Sequence, residues 1–435
     1  MASATNLRAT SQMHVMREFT ALVILIFLLT SCVNQMEELT PPDEKAISHP
    51  YPKIASWLSK KDELMASKKP YDLIMTGWVT PEEAVQFKKM NPAILILAGV
   101  TVNWVYDNEE WKQFLETVAS ADGTTRSIEE SMFLRTPDGE KCAFGWASAE
   151  WGHQEIYAMD LRNVEWKELV IAVYKTILEQ PHHDGVIVDM VMDVSWCPDA
   201  LSSEEWVSAT KEILQKIEAM ADQQNKLVIF NAGRDFSCID AYSEYMDGYV
   251  MENFLGDWGA GYDTGLQAAA SEYIIIYAVD TGNSGVKDLD RMRLGLTLSL
   301  LNDNTYFTYD FGPRDHGQAW WFPEYDVDFG APLGQYYQKD NAYWRAFENG
   351  IVISSPYTSI TVTFDEPHTD VTTGITSTSF VIAKGDGRIF TSAHREPGHH
   401  FLSVCEVNKY FALILRLCQL TYINNTSTKN LPKSL

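Results

Sequence analysis

Basic residues are scarce in this sequence of 435 residues. Its 34 Lys and Arg stand against 59 Asp and Glu, which leaves a formal net charge of −25. A nucleic-acid-binding surface needs clustered Lys and Arg to neutralise phosphates, so this composition argues against a nucleic acid partner. Apolar residues make up 46% of the chain, enough for a large core, and a wholly disordered chain is therefore excluded.

Cysteine is also rare, with six residues in the whole chain, which excludes a disulfide-stapled scaffold. No Cys-x-x-Cys or Cys/His spacing indicates zinc, and His182-His183 is interpreted as a solvated entry to a strand rather than a metal pair. We therefore predict no metal and no organic cofactor. Besides Cys32, five cysteines allow at most two disulfides, whose pairing stays open: Cys142, Cys197, Cys238, Cys405 and Cys418.

The apolar run near the N-terminus is too short to cross a membrane. Ala21–Leu29 has nine residues, against about 20 needed to span a bilayer, and it follows Arg17. The next residues, Leu29-Thr30-Ser31-Cys32, resemble the bacterial lipobox, in which the Cys becomes the lipidated N-terminus. A secretory signal cleaved nearby and an uncleaved anchor are the alternatives.

We accordingly expect residues 1–32 to be a lipoprotein signal segment. Residues 33–68, acidic and containing Pro41-Pro42, are expected to be a linker and lead-in. The remainder would then face outside the cytoplasm in a bacterial cell envelope, tethered to the membrane through a lipid on Cys32.

Short apolar runs alternate with helical patterns over residues 69–347, which predicts a (β/α)8 TIM barrel. A doubly wound open sheet is the alternative, disfavoured because no Gly-rich phosphate loop follows the first run. Residues 348–435 alternate apolar with Ser and Thr before a loose tail, which predicts a small antiparallel β module. The eight predicted strands are Asp72–Trp78, Ala93–Gly99, Glu155–Asp160, Gly185–Met190, Leu227–Asn231, Gly248–Asn253, Glu272–Asp280 and Thr305–Asp310.

Polar side chains stand at the ends of these predicted strands, where a barrel of this kind carries its active site. Five of them are carboxylates, and like charges clustered at one rim repel each other, so the set indicates a site even though any single member would serve as a helix cap or ion-pair partner. The strand-end residues are Asp160, Asp189, Asn231, Glu252, Asn253, Asp280 and Asp310.

Tryptophans concentrate in the loops predicted at the same rim. Indole rings stack on the apolar faces of sugars, while carboxylates hydrogen-bond their hydroxyl groups; the alternative is that these rings pack loops onto the barrel. Seven of the 13 Trp fall in these loops: Trp104, Trp146, Trp151, Trp196, Trp258, Trp320 and Trp321.

Three segments resemble a known group of barrels. His183–Asp189 (HDGVIVD) and Asp247–Phe254 (DGYVMENF) are similar to the fourth-strand and sixth-strand motifs of a group of glycoside-hydrolase-like barrels. The segment Tyr306–Gly334 resembles most the family called hypothetical glycosyl hydrolase 15, to which extracellular polygalactosaminidases are distantly similar. The resemblance covers roughly Tyr71–Phe390 and implies a glycoside hydrolase.

Glycoside hydrolysis requires two carboxyl groups across the scissile bond. We expect Asp189 to be the nucleophile or base and Glu252 the general acid. Their strands are two apart in the barrel, so the two side chains can face each other across its mouth. Further residues are expected to bind substrate: Asp160, Asn231, Asp280, Asp310, His316, Trp196, Trp258, Trp320 and Trp321.

The leading functional hypothesis is a surface-anchored glycoside hydrolase acting on a polysaccharide. The alternative is a carbohydrate-binding lipoprotein that kept the barrel without turnover. A metal-dependent hydrolase would require His pairs at strand ends, which the sequence lacks. The acidic surface favours neutral or cationic glycans over polymers of uronic acids, since like charge opposes approach.

Overall fold

The computed structural model describes residues 51–144, 156–231 and 237–392. The lipobox with Cys32, the tryptophans Trp146 and Trp151, and the cysteines Cys405 and Cys418 lie outside the described residues. The described part contains a parallel eight-stranded sheet followed by an antiparallel six-stranded sheet.

The parallel sheet curls into a nearly closed barrel. A parallel bridge from Ile54 to Phe307 brings its first strand against its last. The strands are rich in Val, Ile, Leu and Tyr and buried along their length, as expected for a parallel sheet covered by helices. In spatial order they are β1 (Ala55–Ser56), β2 (Leu73–Thr76), β3 (Leu95–Ala98), β6 (Gly185–Val188), β7 (Leu227–Asn231), β8 (Gly248–Met251), β9 (Ile274–Asp280) and β10 (Thr305–Asp310).

The barrel prediction is confirmed, but one strand assignment is wrong. The third predicted strand, Glu155–Asp160, is not part of the barrel: β5 (Ile156–Ala158) pairs antiparallel with β4 (Trp104–Tyr106) in a separate two-stranded sheet. The eighth strand of the barrel is instead β1, which lies in the segment predicted as a lead-in. A strand of two residues is too short to show a sequence period, so β1 could not be recognised. The apolar run at 155–160 has the same pattern whether its strand joins a parallel or an antiparallel sheet.

Helices cover the barrel, and their starts follow the capping residues in the sequence. Thr80 caps α2 with Pro81 at its first position, and Ser202 caps α5; both make reciprocal bonds with a Glu three residues on. The helices are α1 (Lys61–Ser67), α2 (Pro81–Met90), α3 (Glu109–Ala119), α4 (Val164–Glu179), α5 (Ser203–Asp222), α6 (Ser237–Tyr242), α7 (Tyr262–Ala269) and α8 (Leu289–Ser299). No described helix is both long enough and apolar enough to cross a bilayer.

The long connection between β3 and β6 contains β4, α3, β5 and α4. Within it Cys142 is joined by a disulfide to Cys197, which lies in the loop that follows β6. The sequence left this pairing open. The disulfide ties the part of this connection that precedes α4, called the insertion below (residues 99–163), to the loop after β6 (residues 189–202).

The predicted antiparallel module is present and begins earlier than residue 348. Its face toward the barrel includes Arg345, and its strands run in the spatial order β11, β12, β13, β16, β14, β15. Their bounds are β11 (Tyr337–Lys339), β12 (Ala342–Phe347), β13 (Gly350–Ser355), β14 (Ile360–Asp370), β15 (Thr376–Ile382) and β16 (Asp386–Ser392).

Buried charges join this module to the barrel. Arg293 of α8 donates from Nε to Asp386 Oδ1 at 2.8 Å. Arg388 lies 2.8 Å from the other oxygen of Asp386 and 3.6 Å from Asp370. We call these four residues the interface cluster.

Candidate active site

Asp189 stands at the carboxyl end of β6, where the chain turns sharply. The turn is made by Met190, a non-glycine residue with a φ of +56°, and its N–H donates to Asp189 Oδ1 at 2.9 Å. The backbone N–H of Asp189 donates to the carbonyl of Val100, at 3.2 Å, in the connection that leaves β3. Asp189 as a whole residue is half-buried at the rim.

Asn231, at the end of the neighbouring strand β7, connects Asp189 to Glu252. Its Nδ2 donates to Asp189 Oδ1 at 2.9 Å and to Glu252 Oε2 at 2.8 Å. Because both oxygens accept from one nitrogen, they are separated by at most the sum of the two bond lengths, 5.7 Å. The structure thus brings together the two carboxylates that the sequence paired across the barrel mouth.

A second chain of hydrogen bonds begins at the other oxygen of Glu252. His316 Nε2 lies 3.0 Å from Glu252 Oε1, and His316 Nδ1 lies 2.9 Å from Asp310 Oδ2. His316 and Asp310 are 7% and 2% exposed, so this chain is buried. We call Asp189, Asn231, Glu252, His316 and Asp310 the rim cluster.

The charges of the rim cluster separate the proton affinities of its members. Burial alone would lower the pKa of His316, but Asp310 and Glu252 on either side raise it to about 10. Burial would raise the pKa of Glu252, yet its hydrogen bond to the His316 imidazolium brings it below its usual value. Burial, and then the charge of Glu252, raise the pKa of Asp189 to about 6.

At neutral pH His316 is therefore an imidazolium in contact with the Glu252 carboxylate, while the pKa of Asp189, about 6, lies closer to neutrality than its usual value. Of the two carboxyl groups Asp189 has the raised pKa and Glu252 the lowered one, whereas the sequence analysis expected Glu252 to be the acid. The reason is His316, whose contact with Glu252 depends on how the loop after β10 folds back over the barrel.

Asp280 and Asn253 form a neighbouring pair at the ends of β9 and β8. Asn253 Nδ2 lies 3.0 Å from both carboxylate oxygens of Asp280, and Gly282 N–H donates to one of them at 2.7 Å. Trp258 donates its backbone N–H to Asn253 Oδ1 at 3.3 Å. This tight return requires Gly259, because a Cβ there would stand 2.0 Å from the carbonyl oxygen of Asn253. Asp280 and the Trp258 loop thus adjoin the rim cluster.

Asp160 and Trp196, predicted to bind substrate, have partners within the insertion. Asp160 follows β5 in the insertion and pairs with Arg162 at 2.9 Å. Trp196 packs on Phe144 with ring centroids 4.3 Å apart, beside the disulfide. Both belong to the insertion and the loop tied to it.

Trp320 and Trp321 are also held by packing. Trp320 packs on Tyr309, which precedes inward-facing Asp310 and so points to the outside of the barrel. Trp321 packs edge-on against Tyr71, which precedes β2 and so lies at the amino-terminal end of the strands. Its Nε1 donates to Asp326 at 2.8 Å. After His316 the chain therefore passes from Trp320, which lies beside Lys287 of the loop after β9, to Trp321 near the amino-terminal end of the strands.

Two residues that the sequence analysis did not select support the rim cluster. Trp57, directly after β1, is fully buried and meets His316 edge-on at a centroid distance of 6.0 Å. Asn103, in the insertion, donates to the carbonyl of Met190 at 2.8 Å. A correct assignment of β1 would have placed Trp57 at a strand end; Asn103 carries no such signal.

Within the described residues there is no group of three or more His, Cys, Asp or Glu arranged to hold a metal ion. His183, adjacent to the predicted strand entry, is buried, with its ring nitrogens 3.1 Å from the carbonyls of Ile177 and Val79. The adjacent His182 also contacts the Val79 carbonyl, at 2.8 Å. Both are held by backbone carbonyls, and His183 is not solvated as expected.

A comparison with known families identifies the one to which the chain belongs. The family model for hypothetical glycosyl hydrolase family 15 matches residues 88–351, more than half of the chain, and that range includes the whole rim cluster. The protein is a carbohydrate-active barrel of the glycoside hydrolase type. It belongs to hypothetical glycosyl hydrolase family 15, as the sequence resemblance implied. No curated protein sequence matches it.

Solved structures with a similar fold are remote in sequence. The glycoside hydrolase domain of PelA from Pseudomonas aeruginosa is 13% identical, with a TM-score of 0.39 over 61% of this chain and 96% of that one. Ega3 from Aspergillus fumigatus, in complex with galactosamine, is 11% identical, with a TM-score of 0.40 over 63% and 96%. The maltogenic alpha-amylase AmyB from Thermotoga neapolitana is 10% identical, with a TM-score of 0.42 over 76% and 93%.

Proposed function

We propose that the protein is a retaining glycoside hydrolase that cleaves a polysaccharide, with Asp189 and Glu252 as its catalytic pair. The observation that carries this proposal is the shared hydrogen bond from Asn231, which keeps one oxygen of each carboxylate, Asp189 Oδ1 and Glu252 Oε2, at most 5.7 Å apart and so favours the shorter of the two known arrangements. Retaining enzymes hold their carboxyl groups about 5–5.5 Å apart, whereas inverting enzymes leave about 6.5–9.5 Å for a water molecule.

The proton affinities favour Glu252 as the nucleophile and Asp189 as the acid and base. In the first step a Glu252 oxygen forms a bond to the anomeric carbon while Asp189 gives its proton to the departing glycosidic oxygen. In the second step Asp189 takes a proton from water, the water oxygen bonds to the anomeric carbon, and the ester to Glu252 breaks. Both groups then regain their starting state.

The remaining rim residues keep the pair in these states. His316, charged between Asp310 and Glu252, stabilises the anionic nucleophile and holds one of its oxygens at 3.0 Å. Asn231 orients the other oxygen of Glu252 together with Asp189. Asp280 and Trp258, beside the rim cluster, are proposed to contact the sugar, whereas the packing of Trp320 and Trp321 favours structural roles for them.

The substrate is proposed to be a neutral or cationic glycan. The rim cluster holds three carboxylates and one imidazolium, and Asp280 adds a fourth carboxylate beside it. Together with the chain's net charge of −25, this excess of acid opposes the approach of polymers of uronic acids.

The decisive test has two stages. The chain from residue 37 onward is first screened for release of oligosaccharides from neutral, cationic and uronic polysaccharides. On the active glycan, NMR of the first product then gives its anomeric configuration, which we expect to match that of the substrate. Inversion would overturn the retaining assignment.

Reactions with azide as an external nucleophile show which of Asp189 and Glu252 is the nucleophile and which is the acid and base. With aryl glycosides of the sugar identified by the screen, Asp189→Ala plus azide should yield a glycosyl azide of retained configuration, because Glu252 still forms the covalent intermediate. Glu252→Ala plus azide should yield the inverted azide by direct attack. The opposite pairing of variants and products would exchange the roles of Asp189 and Glu252.

A carbohydrate-binding protein without turnover is the second candidate. It would bind a glycan without releasing any product, and binding would survive both Asp189→Asn and Glu252→Gln. The proton affinities favour the enzyme, because a binding site has no need to separate the pKa values of two neighbouring carboxyl groups.

We also propose that the barrel is tethered outside the cytoplasm of a bacterial cell through a lipid on Cys32. The lipobox motivates this, and the Cys142–Cys197 disulfide supports it, since such bonds persist in oxidising compartments. Cys32→Ser should move the protein from the membrane fraction to the soluble fraction or stop its processing. Unchanged fractionation and mobility would contradict the anchor.

A further inference from the structure

We propose that Asn103 is a positioning residue for Asp189, acting through the backbone turn at Met190. The inference rests on the proposed function, since it assumes that Asp189 takes part in catalysis. It assigns a role to the insertion, whose contribution to the site is not evident from the chain's motifs.

The turn at Met190 must be held by its surroundings. A φ of +56° lies in the left-handed region, which non-glycine residues occupy at a cost in strain, and such residues persist where neighbouring structure fixes them. Here the strained residue directly follows Asp189, and its N–H is the donor to Asp189 Oδ1 at 2.9 Å. The orientation of the carboxylate and the conformation of Met190 are therefore coupled.

Asn103 is the side chain that holds the carbonyl of Met190. It is 1% exposed, and its Nδ2 donates to that oxygen at 2.8 Å. Its own backbone is fixed on both sides: the Asn103 carbonyl accepts from Met159 N–H at 2.9 Å, and the preceding carbonyl of Val102 accepts from Trp166 Nε1 at 2.9 Å. The amide is thus presented from a rigid part of the insertion.

The loop beyond Met190 is held at further points. Val191 N–H donates to the Asn231 carbonyl at 2.9 Å, and the Met192 carbonyl accepts from Trp206 at 3.1 Å and from Tyr242 at 3.0 Å. Seven residues after Met190, Cys197 is joined to the insertion. The insertion therefore contacts the end of this loop nearest Asp189 at two points: the Val100 carbonyl accepts from Asp189 N–H, and the Asn103 side chain donates to the Met190 carbonyl at the strained turn itself.

Loss of Asn103 should act on Asp189 in two ways. The turn relaxes, which misplaces the carboxylate relative to Glu252. The Met190 N–H also leaves Asp189 Oδ1, and because that bond lowers the pKa of Asp189, the pKa rises further. Replacing an asparagine with a purely structural role would change neither the position of the Asp189 carboxylate nor its pKa.

The test compares Asn103→Ala with Asn304→Ala in the full chain. Asn304 also binds backbone carbonyls with its side chain, those of Ser271 at 2.9 Å and Tyr273 at 2.6 Å, but at the amino-terminal end of β10. For Asn103→Ala we expect kcat to fall about 100-fold, as for a carboxylate misplaced by about 1 Å, with KM changed less than about 3-fold. The basic limb of its pH profile should move to higher pH. Asn304→Ala should lower the melting temperature and leave kcat and the pH profile unchanged.

A second variant checks the route through Met190. Met190→Gly accepts the left-handed conformation without strain, so adding it to Asn103→Ala should restore part of the lost kcat. A folded Asn103→Ala protein with parental kcat and an unmoved basic limb would overturn the proposal. So would a fall in kcat without any change in the pH profile.

An activity-free measurement separates this inference from the proposed function. Asn103→Ala should change how the melting temperature varies between pH 4 and pH 8, and it should do so only when residue 189 is Asp and not in an Asp189→Asn background. If the parent cleaves no glycan, the proposed function fails, and this thermal cycle still decides the role of Asn103. An equal change in both backgrounds would overturn that role.

Discussion

The rim cluster and the interface cluster both bury charged side chains, but they differ in their balance. The interface cluster pairs two arginines with two aspartates, and its central members, Arg293 and Asp386, are 5% and 1% exposed. The rim cluster has one imidazolium for three carboxylates. Balanced burial of charge is a structural arrangement, whereas an excess of buried acid raises the pKa of one carboxyl group, that of Asp189, to about 6.

The two clusters also differ in what supports them. Arg293 and Asp386 come from a helix and a strand that are packed against each other along their length. Four of the five rim residues come from strand ends and His316 comes from the loop after β10; the cluster adjoins turns at Met190 and Asn253 that lie in the left-handed region. Backbone of this kind persists only where neighbouring structure fixes it, whereas the interface cluster is supported by a regular helix and strand.

The largest effect that distinguishes the rim cluster from the interface cluster is the loss of turnover expected from Glu252→Gln. Because Glu252 is proposed to form the covalent bond to the sugar, turnover should fall by several orders of magnitude, far beyond what the accompanying loss of stability, caused by His316 losing one of its two carboxylates, accounts for. Glu324→Gln is the matched control, since Glu324 is 3% exposed and accepts from Thr372 away from the rim. Steady-state kinetics and thermal unfolding measure both; near-parental turnover in Glu252→Gln would contradict the assignment.

At the interface cluster we expect the opposite pattern, a loss of stability without a loss of turnover. Arg293→Met leaves buried Asp386 with Arg388 alone, and breaking such a pair should lower the free energy of unfolding by about 3 kcal/mol. Turnover per folded molecule should be unchanged. Arg135→Met, which removes a surface ion pair with Glu130, should cost less than about 1 kcal/mol. Denaturant unfolding gives the free energy of unfolding of both variants. If both lose the same amount, burial of the ion pairs at the interface does not contribute to stability.

A smaller and more selective effect is expected from His316→Gln. Without the imidazolium the pKa of Glu252 rises, so the acidic limb of the pH–rate profile moves to higher pH. His316 has a folded-state pKa of about 10, above its unfolded value, so its contribution to stability is complete below about pH 6.5 and is lost as pH rises through 10.

The stability gap between parent and His316→Gln should therefore narrow toward alkaline pH. His183→Gln, at a buried histidine bound to backbone carbonyls, should alter stability without moving the acidic limb. If both variants leave that limb in place, His316 does not control Glu252.

Sequence reasoning reached the barrel and the proximity of Asp189 and Glu252 because both rest on local signals: apolar runs, and carboxylates at their ends. It placed Asp160 at the end of a barrel strand because a buried apolar run does not reveal which sheet it joins. It did not foresee that Trp321 packs against Tyr71, because a loop's path after its strand depends on long-range packing. The roles of the pair depended on His316, 64 residues from Glu252, and no local pattern gives that contact.

The smallest expected effect is a gain in stability from Asp189→Asn. The folded protein raises the pKa of Asp189 from 3.8 to about 6, so ionising this group costs the folded state more than the unfolded state. The relative stabilisation from its protonated form is present below about pH 4 and is lost as pH rises through 6. Above that pH the parent bears the full cost, which the uncharged amide does not.

Asp189→Asn should accordingly raise the free energy of unfolding by about 1–3 kcal/mol at pH 8 and by almost nothing at pH 4. The amide oxygen of the variant can still accept from Asn231 and Met190, so no buried donor loses its partner. Denaturant unfolding at the two pH values measures the difference. Asp370→Asn is the control from the interface cluster. It deprives Arg388 of the negative charge of Asp370, so the free energy of unfolding should fall at pH 8. A loss of stability in Asp189→Asn at pH 8 would mean that Asp189 is held as a structural anion, and the contrast between the two clusters would not stand.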